Sequence, residues 1–236
     1  MSRTLFVSDV HLRPRDPAAN RPFLRFLEQD CEALYVVGDL FDYWIGPRQL
    51  ETGDYDAEID ALRGKSKDTR IYFLKGNRDY LVEERFARAT GMSILGDRAR
   101  VDLGGRTLML AHGDFVYNRN PKYTAYRTLM RSKPIEALWL QLPAFVGRAL
   151  VRGYRKVSPM TTRGVTFSRE DLAAGARPFF EAGADVAVIG HIHQPQHVAA
   201  DVGGRPRDLY ILGDWCGGTQ DYLEWDGSTL RFLRWV

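Results

Sequence analysis

The chain has 236 residues, is 44% hydrophobic and 27% charged, and carries a net charge of only +3, values that fit one folded domain with a large core and exclude a disordered or collagen-like chain. No apolar run matches the roughly 20 residues a membrane-spanning helix needs; the best, 135–151, is interrupted by Glu136, Gln141, Pro143 and Arg148. Cys31 and Cys216 stand far apart in no metal or redox spacing, which points to a reduced, cytosolic compartment.

Residues 4–8 read as a strand running into Asp9-Val10-His11, and their apolar run is too short for a signal-peptide core. Helical spacing over 22–30 is followed by a strand at 33–37 that closes on Gly38-Asp39. Next come a helix at 57–65, a strand at 70–75 ending in Gly76-Asn77-Arg78-Asp79, and a helix at 81–90 stopped by Gly91. Residues 98–103 and 106–110 form a hairpin about Gly104-Gly105, and the strand at 107–111 ends on His112-Gly113-Asp114. Helices are predicted at 121–130, 135–142 and 169–182, the last closed by Gly183. A strand at 185–189 leads to Gly190-His191-Ile192-His193, another covers 209–212, and a hairpin of 221–225 with 229–235 completes the chain. Alternating strands and helices predict a layered α/β domain.

Four of the five histidines thus lie in short words that close strands, the place where open α/β sheets bind their ligands. Asp9, His11, Asp39, Asn77, His112, His191 and His193 are too many donors for one tetrahedral zinc but suit two adjacent ions sharing a carboxylate. Without a thiolate, the set favours hard or borderline ions such as manganese. Such a pair would lower the pKa of a bound water and neutralise phosphoryl charge during in-line attack. His197, four residues past His193, is expected at the surface. Trp215 could line the pocket or pack in the core.

Charge is unevenly spread. Residues 119–163 hold ten Lys or Arg against Glu136, a local net of +9, which leaves −6 for the rest of a chain whose total is +3. The same segment is apolar at 135, 138, 139, 140, 142, 145, 146 and 149–151. Basic and apolar together suit acyl chains at an anionic membrane surface better than a nucleic acid.

The five words in this order resemble the calcineurin-like metallophosphoesterases, a resemblance that covers nearly the whole chain. It implies a four-layer αββα sandwich with a helical cap insertion at about 119–168. It also implies one ion held by Asp9, His11 and His193, another by Asn77, His112 and His191, and Asp39 bridging them. The words at 38–46 and 76–87 are similar to those of the UDP-2,3-diacylglucosamine diphosphatase family of lipid A synthesis. That likeness implies two manganese ions, a lipid-linked nucleotide-sugar substrate cleaved to UMP by attack of metal-bound hydroxide on the α-phosphate, and work at the cytosolic face of the inner membrane. It assigns catalysis to Asp39, Asn77, Arg78 and His112. Substrate contacts fall on Asn77, Arg78 and His191, with Asn120, Tyr123, Ser158 and Thr162 in the cap. Thr162 and Val165 replace the family's Asn and Lys.

Arg78 stands where the wider class commonly has His. It cannot give up a proton at neutral pH, so it can only clamp charge. That suffices for a weakly basic leaving group such as a phosphate monoester, whose second pKa is about 6, and so favours a diphosphate as substrate.

Overall fold

The computed structural model describes residues 3–117, 121–157, 166–216 and 220–235. In chain order its first elements are β1 (Thr4–Val7), α1 (Pro17–Phe26), β2 (Ala33–Val37), α2 (Asp56–Lys65), β3 (Arg70–Leu74), α3 (Glu84–Thr90) and β4 (Ser93–Gly96). There follow β5 (Arg98–Leu103), β6 (Arg106–Ala111), α4 (Asp114–Tyr117), α5 (Pro121–Met130), α6 (Lys133–Gln141) and α7 (Ala144–Val157). The rest are α8 (Arg169–Glu181), β7 (Val186–Ile189), β8 (Gln196–Asp201), β9 (Pro206–Ile211), β10 (Gln220–Trp225) and β11 (Leu230–Trp235).

Two sheets stack face to face, one in the order β11-β10-β1-β2-β3-β4 and the other β5-β6-β7-β9-β8. Strand alternation assigns each side chain to a layer. Leu5, Val7, Leu34 and Val36 face α1, α2 and α3, whereas Phe6, Tyr35 and Val37 face the second sheet. From that sheet Leu108, Leu110, Val186 and Val188 fill the space between sheets, and Ala111, Ala187 and Ile189 pack beneath α8. The result is the expected four-layer α/β/β/α sandwich. Strands β1, β2 and β3 pair in parallel, as do β6, β7 and β9. Their carboxyl ends meet at one rim, which is why words so far apart in sequence can share one site.

Some boundaries differ from the sequence reading. Helix α1 begins at Pro17, five residues before the expected start, because the Asp16 side chain accepts a hydrogen bond from the Ala19 N–H at 3.1 Å and so forms its N-cap. Pro22, where the expected helix starts, lies inside the helix. The apolar run at 135–151 divides into α6 and α7 at Leu142, held extended (ψ 138°) before Pro143. Short β4 and β8 gave no clear alternation and were not expected. Asp16→Ala should lower stability by about 0.5–2 kcal/mol in urea unfolding without changing activity, the usual effect of losing an N-cap.

Candidate metal centre

Each histidine or acidic word turns immediately after its strand, and the backbone there is unusual. Of six described non-glycine residues with positive φ, five are Asp9, His11, Asp39, His191 and His193, at 52° to 69°. This left-handed conformation is unfavourable for such side chains and persists where the surroundings impose it. Space is equally tight. A Cβ on Gly190 would stand 2.6 Å from Asp9 Oδ2, and one on Gly76 would reach 2.9 Å from the Asp39 carboxyl carbon. The glycines of these words let the loops close on the carboxylates.

The seven side chains converge. His193 Nε2 lies 3.0 Å and His11 Nε2 3.7 Å from Asp9 Oδ1. Asp39 presents Oδ2 to His11 Nδ1 at 3.9 Å and Oδ1 to His112 Nε2 at 3.5 Å. His112 Nε2 is also 3.0 Å from Asn77 Oδ1, and the His191 ring centroid is 5.1 Å from that of His112. Asp9, His11 and His193 form one compact donor group, and Asp9, Asp39 and His112 another. The supporting bonds are backbone and hydroxyl donors: His191 N–H and Ser8 Oγ–H to Asp9 Oδ2 at 2.8 and 2.7 Å, and Arg78 N–H to Asp39 Oδ1 at 2.9 Å.

The electrostatics suit a cation. Asp9 and Asp39 are almost wholly buried, and buried charges are paired or bind metal. Burial opposes ionisation of Asp9, yet the imidazoles of His112, His193 and His11 hold its carboxyl far below the usual range. Burial pushes Asp39 upward, helped by Asp9. It also pushes His191 down to about 3 and His11 well below its ordinary value, leaving neutral imidazoles with lone pairs to offer. Both ring nitrogens of His11 are buried with no hydrogen-bond partner among the described residues. That is an expensive state unless an ion takes the lone pair, so the residues present fit divalent metal.

Arg78 lies over this pocket. Its Nη1 donates to Asp42 Oδ1 at 2.9 Å and its Nε is 3.4 Å from Asp39 Oδ2. Asp79 turns inward instead, accepting from the Gly76, Asp39 and Phe41 N–H groups at 2.9, 3.2 and 3.3 Å. Tyr123 is buried and donates its hydroxyl to Asp114 at 3.1 Å. Asn120, Ser158, Thr162 and Val165 lie outside the described residues. His197 is at the surface as expected, 2.7 Å from Asp208. Trp215 packs in the core against Phe23 and Phe26.

Sequence reasoning missed Asp42, Asp214 and the basic network behind the site. Arg127 Nε donates to Asp114 at 2.6 Å, and Arg131 joins Asp97 to the Gly76 carbonyl at 2.7 Å. Arg148 reaches Asp54 at 3.2 Å. Three bases of the +9 segment therefore point inward and fasten α5 and α7 to the metal loops and the neighbouring turn. The apolar residues of that segment are divided: Trp139 packs against the core, whereas the large exposed hydrophobics among the described residues are Leu129, Leu138, Phe145 and Leu150, with Phe145 75% exposed. No described helix is long and apolar enough to cross a membrane.

Residues 2–195 match the family model described as calcineurin-like phosphoesterase. A Coxiella burnetii protein named UDP-2,3-diacylglucosamine hydrolase is 31% identical over 99% of this chain and 95% of its own length. Proteins of the same name from Aromatoleum aromaticum and Stenotrophomonas maltophilia are 33% and 36% identical, covering 97% and 90% of this chain and 96% and 90% of theirs.

Proposed function

The chain belongs to the calcineurin-like phosphoesterases, a family of divalent-metal-dependent hydrolases, and from that premise we propose that it cleaves the diphosphate of UDP-2,3-diacylglucosamine into UMP and 2,3-diacylglucosamine 1-phosphate. The observation that carries this reading is a phosphoesterase pocket set beside helices whose apolar side chains stay exposed. The names of the relatives point the same way.

In this reading Asp9, His11 and His193 hold one ion, Asn77, His112 and His191 hold a second, and Asp39 is shared. The oxygen and nitrogen donor set favours manganese. Bound there, divalent ions supply Lewis acidity, activating water and neutralising phosphoryl charge. The protein's share is orientation. Arg78, steadied by Asp42, grips the phosphoryl oxygens beside Asn77 and His191. The oxygen of a water bonds to the α-phosphorus as the bond from that phosphorus to the bridging oxygen breaks, and the bridging oxygen leaves with the sugar phosphate. Its low basicity makes a protein acid unnecessary. Tyr123, whose hydroxyl also holds Asp114, contributes cap contacts together with Asn120, Ser158 and Thr162. The helices at 121–157 cap the acyl chains and rest peripherally on the cytosolic face of an anionic membrane, chiefly through Leu129, Leu138, Phe145 and Leu150.

A manganese-supplemented screen of nucleotide-sugar diphosphates against simple phosphodiesters, run in isotopically labelled water with products identified by mass, tests the reading. UMP carrying the label and formed from the diacylated sugar nucleotide is expected. Turnover of another compound with none of this one would overturn it. Arg78→Ala should lower kcat/KM by about ten- to a hundred-fold, as befits one lost charged hydrogen bond of about 1.5–3 kcal/mol.

A further inference from the structure

The loop after β9 forms a sixth strand-end word, Gly213-Asp214-Trp215, on the same rim as the other five. Leu212 N–H donates to the Ile189 carbonyl at 2.7 Å, and Trp215 N–H donates to the Asp9 carbonyl at 3.1 Å. The Trp215 ring is locked edge-on between Phe23 and Phe26, with centroids 5.7 and 5.0 Å away. Asp214 is thus pinned on both sides, and its Oδ2 lies 3.3 Å from His193 Nδ1. The other nitrogen of that ring, Nε2, faces Asp9 Oδ1 at 3.0 Å.

His193 needs such a hold. Its backbone sits at φ 60° and its side chain is 17% exposed. His112, by contrast, is buried with Nδ1 3.1 Å from the Val37 carbonyl. We propose that Asp214 is a positioning residue: it accepts the Nδ1–H of His193, fixes the tautomer and aims the Nε2 lone pair into the pocket shared with Asp9 and His11. The role rests on the reading that these three residues hold one ion. Carboxylate partners of this kind orient histidine ligands, and losing them weakens metal affinity by roughly 10–100-fold.

The test is calorimetric titration of the chelator-stripped full chain with manganese, for wild type, Asp214→Ala and the isosteric Asp214→Asn. Asp214→Ala should weaken one of two ions by about 10–100-fold and leave the other unchanged. Nitrogen NMR of histidine-labelled protein loaded with diamagnetic zinc should show a hydrogen-bonded His193 Nδ1–H in wild type whose resonance shifts in Asp214→Ala. A purely structural role would move both ions together and leave that resonance in place. Two unchanged ions in folded Asp214→Ala, or a wild-type His193 that binds the metal through Nδ1 rather than Nε2, would overturn the proposal. A wild type that binds no manganese would instead overturn the metal reading, and this role with it. Should Asp214→Ala fail to fold, Asp214→Leu carries the same comparison, because it fills the same space without an acceptor; Asp214→Asn, whose amide oxygen still accepts the Nδ1–H, should keep most of the affinity.

Discussion

Replacing Asp39 by Ala is expected to leave the fold in place and to lower kcat by at least about a thousand-fold, roughly 4 kcal/mol of transition-state stabilisation. Its two carboxylate oxygens face different halves of the site, Oδ2 toward His11 and Oδ1 toward His112. Neither Asp42 nor Asp79 can take over that position, since Asp42 is drawn to Arg78 and Asp79 is spent on three backbone N–H groups. The fold survives for a complementary reason. A buried carboxylate is costly in the absence of its ion, so removing it relieves repulsion with Asp9 while giving up the bond from Arg78 N–H. Strain at φ 52° offsets part of that relief, because Ala tolerates the left-handed region less well than Asp. Turnover with manganese, alongside circular dichroism and urea unfolding, checks both halves of the expectation. An Asp39→Ala protein with full turnover would contradict the assigned role.

The fold and the seven candidate donors were legible because both are local in the chain. Alternation within five residues assigns Leu34, Val36 and their neighbours to opposite faces, and a strand running into Gly38-Asp39 or His112-Gly113-Asp114 announces a turn bearing ligands. Partners were not legible, since they depend on which rims meet. Nothing in the word containing Arg78 reveals that it reaches Asp42, 36 residues away, rather than its neighbour Asp79. Asp214 carried a usable signal: it follows a glycine at the end of β9 just as Asp39 follows Gly38 at the end of β2. The basic segment was legible only in part. Counting charge gives its net of +9 but not the partners of its bases: Arg127, Arg131 and Arg148 turn to Asp114, Asp97 and Asp54, acids that lie 13, 34 and 94 residues away in the chain.

Gly76→Ala is expected to lower activity by at least about a hundred-fold, the scale of a misplacement of about 1 Å at a reacting centre. It should also cost about 1–3 kcal/mol of stability, the range for overpacking. Gly76 does not have the positive φ of Gly38, so alanine meets no backbone strain there and the whole effect is spatial. The added Cβ would press on the carboxylate and the amide nitrogen of Asp39. That amide cannot yield easily, because Asp79 Oδ1 ties it to the Gly76 N–H at 3.2 and 2.9 Å. Arg131 holds the Gly76 carbonyl from the other side at 2.7 Å. The loop is therefore squeezed between its own clasp and the base of α5, and relief has to come from moving Asp39 or Asn77. The matched control is Gly64→Ala in α2, where a Cβ meets nothing within 4 Å. There the same substitution should raise stability by about 0.5–1 kcal/mol through helix propensity and leave turnover untouched. Measuring kcat, manganese affinity and urea midpoints for both variants separates crowding at the site from the generic effect of the substitution. A Gly76→Ala enzyme with wild-type turnover would show that the close approach of these two loops is not what holds Asp39 in place.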